Sequence, residues 1–160
     1  MENELDELYA LLASKMVDMI PVNWNQIYYL GEVGKERESW SSVFYFEDSN
    51  TLEMKKSHNI PSEYNVSENV YEKLLSELNS TLLDIYTCFD KYQQPLWEQL
   101  NLSLNSEGAL NIDFKYDVVS EDDGGQLLRE IVWAYKVFGW MPKAGTFTRK
   151  LLDAYLEKKI

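Results

Sequence analysis

Gln99-Leu100-Asn101-Leu102-Ser103-Leu104-Asn105-Ser106-Glu107-Gly108-Ala109-Leu110-Asn111-Ile112-Asp113-Phe114-Lys115-Tyr116-Asp117-Val118 is the stretch on which the fold turns. Leu100, Leu102 and Leu104 alternate with polar residues, as do Leu110, Ile112, Phe114, Tyr116 and Val118. Successive side chains of a strand point to opposite faces, so each run has one apolar and one polar side. Between the runs, Asn105-Ser106-Glu107-Gly108 is turn-forming. Together they predict an antiparallel hairpin with one buried face.

Outward toward the N-terminus, Val70, Leu74, Leu78, Leu82, Ile85 and Phe89 recur at helical spacing. They predict a helix from Ser67, whose hydroxyl is placed to cap it, to about residue 89. Residues 56–66 read as an irregular connection. Three strands are expected before it: Trp24–Val33, Trp40–Glu47 after the charged turn Gly34–Glu38, and Leu52–Lys55 after Asp48-Ser49-Asn50. Leu5, Leu8, Leu12, Met16 and Met19 share one face of a first helix over residues 4–20, which Pro21 stops.

Outward toward the C-terminus, Ser120 and Asp123 are suited to open a helix. It continues through Leu128, Ile131, Val132 and Tyr135 to a Gly139 cap. Thr146 or Thr148 caps a last helix carrying Leu151, Leu152, Tyr155 and Leu156. The expected fold is α+β, in the order α-β-β-β-α-β-β-α-α. An N-terminal meander and the central hairpin form a mostly antiparallel sheet, with about four helices packed on one face. Residues 1–160 are expected to form a single domain.

The 160 residues hold 27 acids against 15 bases, a net charge of −12. The first 120 carry 21 acids and 8 bases, whereas the last 40 carry 6 and 7. Phosphates would be repelled, which disfavours nucleic acid and anionic membrane as direct ligands. A basic protein surface is the complement of such a field. Cys88 is the single cysteine, so no intrachain disulfide forms, as suits a reducing compartment. Met1-Glu2-Asn3-Glu4 is unlike a signal peptide, and no apolar run approaches a membrane span, so a cytoplasmic protein is expected.

Residues suited to catalysis are sparse. His58, the only histidine, sits in a loop with no second metal-binding side chain beside it. Cys88 falls on or near the apolar face of its helix, where a thiol is ordinarily a small core group. Glu121-Asp122-Asp123-Gly124-Gly125 lacks the alternating ligands of a calcium loop and the Gly-Lys-Ser/Thr ending of a phosphate loop. No pair among the carboxylates is singled out for glycoside hydrolysis. Neither a catalytic residue, a metal site nor a cofactor is expected.

Several ordered segments carry a resemblance. They are Met19-Ile20-Pro21-Val22-Asn23-Trp24, Asn59-Ile60-Pro61-Ser62-Glu63-Tyr64-Asn65-Val66-Ser67, Pro95-Leu96-Trp97, the hairpin Leu100–Tyr116, and Tyr135-Lys136-Val137-Phe138-Gly139-Trp140-Met141-Pro142. In this order and spacing the chain resembles the YezG-like (EsaG-type) immunity proteins of bacterial polymorphic toxin systems, over nearly its whole length. The resemblance implies an antitoxin that binds a cognate nuclease toxin, a C-terminal domain of a protein exported by the type VII route, and silences it in the producing cell's cytoplasm. It implies no catalytic residues and supplies no contact motif.

From the charge pattern, the expected toxin contacts are Glu121, Asp122 and Asp123, with Asp113 and Asp117 on the polar side of the hairpin. Glu47 and Asp48 are a second set, and Trp140 is a candidate aromatic anchor. Strand edges and exposed aromatics serve self-association or toxin binding equally well. A second reading, from another class, is a general adaptor or chaperone-like module with no dedicated toxin.

Overall fold

The structure, a computed structural model, describes residues 1–119 and 124–158. The chain divides into two compact units, Met1–Ser120 and Glu121–Ile160.

The first unit runs α1 (Glu2–Met19), β1 (Trp24–Val33), β2 (Trp40–Asp48), β3 (Met54–Lys56), α2 (Ile60–Tyr64), α3 (Glu68–Lys91), β4 (Gln99–Asn105) and β5 (Leu110–Lys115). The second holds α4 (Gln126–Phe138) and α5 (Phe147–Lys158). The α+β reading and the element order stand, with the five-residue α2 added inside the expected connection. A helix that short shows no sequence periodicity. Asn65 ends it in the left-handed conformation, at φ 55°.

Five strands form one sheet in the order β3-β2-β1-β4-β5, every pairing antiparallel. The N-terminal meander and the central hairpin therefore join through β1 and β4, with Tyr29 opposite Leu102 and Glu32 opposite Gln99. This makes β1 the middle strand and explains why it is buried along most of its length.

Helices α1 and α3 lie together over one face. Leu12 and Met16 of α1, and Leu78, Leu82 and Ile85 of α3, meet Ile27, Tyr29, Phe44, Phe46 and Leu100 in a single core. Gly31 lets α3 approach: a Cβ there would stand 2.7 Å from Leu82 Cδ1. A polar clasp ties the two helices, with Cys88 Sγ donating to Glu4 Oε2 at 3.1 Å and Lys91 Nζ 3.3 Å from Glu4 Oε1. The other face also carries buried side chains at its centre, namely Leu30, Val43 and Tyr45.

Two strand boundaries differ from expectation for one backbone reason. Leu52 (φ 61°) and Asp117 (φ 57°) are left-handed, a conformation no strand accommodates. Thus β3 begins only at Met54, and β5 stops at Lys115 instead of continuing through Val118. The Ser67 cap is present, accepting from Val70 N. In the second unit Gly139 (φ 74°) closes α4, while Thr146 Oγ1 accepts from Arg149 N at 3.3 Å at the start of α5. The expected opening of α4 by Ser120 and Asp123 lies outside the described residues.

Candidate functional site

Strand register decides which loops meet. Val33 pairs with Trp40, Glu32 with Gln99, and Gln99 with Lys115. The β1–β2 turn, the residues entering β4 and those leaving β5 are thereby brought to one end of the sheet. There they enclose an open cavity of about 720 Å³.

Its floor is aromatic and apolar. Tyr86 comes from α3, while Leu96 and Trp97 come from the segment entering β4. Trp97 is fully buried, edge-on to Tyr86 with ring centres 5.4 Å apart and to Phe89 at 6.0 Å. Its Nε1–H finds no acceptor among the described residues. A buried donor left unpaired is uncommon in folded proteins and costs stability. Burial, with the charge of Asp90 adding to it, holds the Tyr86 phenol above its ordinary pKa.

Carboxylates line the walls: Glu36 and Glu38 from the β1–β2 turn, Glu98 before β4, and Asp117 after β5. Glu98 is buried and its Oε1 accepts from Val119 N at 3.2 Å, which ties the strand exit to the cavity. Two of the chain's own cations stand at the rim. Lys35 Nζ is 3.8 Å from Asp117 Oδ1, and the Arg37 guanidinium lies 5.9 Å from the centre of the Tyr86 ring. Glu36, Arg37 and Asp117 all have positive φ without being glycine.

Of the acids singled out from the sequence, Asp117 is thus a wall of the cavity. Asp113 is exposed on β5, opposite Asn101, on the side of the strand away from the core. Glu47 and Asp48 lie at the other end of the sheet. Eight residues of β1 separate those ends, roughly 26 Å at about 3.3 Å per residue. Glu47 accepts from Asn25 Nδ2 at 2.9 Å. Asp48 is buried and both of its oxygens are used, Oδ1 by Asn50 N at 2.8 Å and Oδ2 by the Tyr64 hydroxyl at 2.8 Å. These hydrogen bonds hold its carboxyl below the usual carboxylate range. Trp140 belongs to the second unit, half-buried, with its backbone N donating to Ala134 O at 3.3 Å. Glu121, Asp122 and Asp123 lie outside the described residues.

Glu36, Glu38, Glu98 and Trp97 were not reached from the sequence. Gly34–Glu38 reads there only as a charged turn, and nothing local says that it faces residues 98 and 117. The helical layer is a second unanticipated concentration of charge. Ten acids and three lysines lie within α1 and α3, and Glu2, Asp6, Glu7, Asp18, Glu68 and Asp84 are among the exposed ones.

His58 is exposed and shares a 3.4 Å hydrogen bond with the Tyr71 hydroxyl. Cys88 is buried, and burial followed by the Glu4 hydrogen bond raises its thiol above the ordinary value. Among the described residues, no group of His, Cys, Asp and Glu gathers as a metal site, and no helix is long and apolar enough to cross a membrane. What the cavity offers chemically is negative charge above an aromatic floor, an arrangement suited to cations.

Comparison with known proteins covers most of the chain. Residues 5–152 match the family described as "Immunity protein YezG-like". The protein named "Immunity protein YezG" in Bacillus spizizenii is 35% identical over 156 residues, covering 96% of this chain and 94% of that one. Its namesake in Bacillus subtilis is 33% identical over 141 residues, covering 87% and 91%. The "Type VII secretion system protein EsaG" of Staphylococcus aureus is 25% identical over 143 residues, covering 89% and 86%.

Proposed function

The chain belongs to the YezG-like family of immunity proteins, and on that footing we propose that it neutralises a cognate nuclease toxin by forming a one-to-one complex with it in the cytoplasm of the producing cell. The observation that carries the nuclease reading is the charge: 21 acids against 8 bases in the first 120 residues. A nuclease holds phosphates in a basic groove. An acidic protein competes for that groove by presenting carboxylates where phosphates would lie. Capture must be fast to protect the cell that makes the toxin, and opposite fields raise association rates. The relative named for type VII secretion supports a toxin exported by that route.

The proposed contacts are Asp117 with the other cavity acids, Asp113, and Glu121, Asp122 and Asp123. Glu47 and Trp140 are secondary positions. Asp48, buried and doubly hydrogen-bonded, is assigned to holding the strand end. Because similarity runs through both compact units, residues 1–160 are taken to act as one binding module.

Co-expression with the toxin encoded beside the gene tests the proposal. Restored growth and a co-eluting complex on gel filtration are expected. Undiminished toxicity together with no complex overturns it.

A further inference from the structure

We propose that the cavity at the hairpin end of the sheet receives an arginine side chain carried on a loop of a protein partner. The inference rests on the partner being the basic protein proposed above, and it names the chemistry of one contact.

Three observations converge on it. First, the exposed Glu36, Glu38 and Asp117 line the cavity together with the buried Glu98, Tyr86 and Trp97. A guanidinium is planar, always charged and weakly hydrated, so it forks to carboxylates while stacking on rings. An ammonium is a compact, strongly hydrated charge that does not stack in this way. Second, the chain already places its own cations there: Arg37 over Tyr86 and Lys35 beside Asp117. Both contacts are long, and all four residues except Tyr86 are exposed, so an incoming cation can displace them. Third, Trp97 is fully buried at the floor with an indole N–H that lacks an acceptor. Reaching that N–H requires the floor to part, and a peptide loop then supplies a carbonyl oxygen to accept from it, which a bare cation does not. Among the described residues no acids gather as metal ligands, and a planar, forked guanidinium suits carboxylates spread around a cavity.

The test titrates the full chain, labelled with ¹⁵N, with acetyl-Gly-Arg-Gly-amide, using acetyl-Gly-Gln-Gly-amide as control. Saturable shifts of the amides of residues 34–39 and 117–119 and of the Trp97 indole N–H are expected from the arginine peptide alone. They should vanish in the double variant Glu36→Gln/Asp117→Asn. Asparagine tolerates the left-handed backbone at 117, and unchanged amide shifts away from the cavity check that the variant keeps the fold. The absence of saturable shifts, or equal shifts from the control, overturns the inference. A second arm measures the complex with the neighbouring toxin, where the double variant should dissociate about tenfold faster or more. A complex formed by both proteins with equal lifetimes overturns the cavity contact and leaves toxin neutralisation standing. Peptide binding without any toxin complex supports the cavity and removes the proposed function instead.

Discussion

The Tyr29 hydroxyl and Ser42 Oγ are 2.7 Å apart, a buried hydrogen bond between adjacent strands in the middle of the sheet. It exists because Ser42 pairs with Gly31, two residues along the strand from Tyr29. The tyrosine ring reaches across a position that has no side chain. A Cβ on Gly31 would stand 2.7 Å from the Tyr29 hydroxyl as well as from Leu82 Cδ1.

Gly31→Ala should therefore destabilise the protein by about 1–3 kcal/mol through overpacking. Ser42→Ala should cost a similar amount, about 1–3 kcal/mol, by leaving a buried phenol unpaired. Urea unfolding followed by tryptophan fluorescence measures both. Midpoints equal to that of the unaltered chain would show that the sheet centre absorbs these changes.

Asp48 predicts an acid dependence. Its hydrogen bonds to Tyr64 and the backbone of Asn50 favour the carboxylate, so the folded chain takes up this proton at lower pH than the unfolded one. The stabilisation is complete above the unfolded value, about pH 4, and is lost as pH falls through the lower folded value. Asp48→Asn removes this contribution. Unfolding free energies of the variant and the unaltered chain should differ at pH 7 and converge toward pH 2. A constant gap would assign the effect to packing.

Cys88 should be unreactive while the fold persists. Its thiol is buried, donates to Glu4 and has a raised pKa, so little thiolate is present or accessible. Alkylation by iodoacetamide near neutral pH should be roughly tenfold slower or more in the folded chain than in urea. Equal rates would mean that the α1–α3 clasp opens freely.

Steering by the acidic surface predicts a salt signature. Association with the toxin should slow as ionic strength rises, because screening shortens the reach of the field. Changing Glu121, Asp122 and Asp123 together to lysine should slow association most at low salt. Stopped-flow mixing reads both effects. Rates insensitive to salt and to these substitutions would remove steering from the mechanism.

Local pattern was enough for most elements. Alternation from Gln99 to Lys115, the helical stripe from Val70 to Phe89, the Ser67 cap and the Gly139 stop all reflect forces acting within a few residues, and the structure keeps them. Elsewhere backbone conformation outranks side-chain pattern. Val118 continues the alternation, yet Asp117 leaves the strand because its φ is positive. The five residues of α2 were too few to carry a periodicity.

Net charge, fold class and membership of an immunity family are properties a linear reading reaches, because composition, short-range periodicity and ordered motifs are written along the chain. The cavity is different in kind. Glu36, Trp97 and Asp117 meet only because β1 pairs with β2 on one side and β4 on the other. Pairing between distant strands depends on which faces bury one another against α3. That choice is made by packing over the whole core, and no window of neighbouring residues contains it.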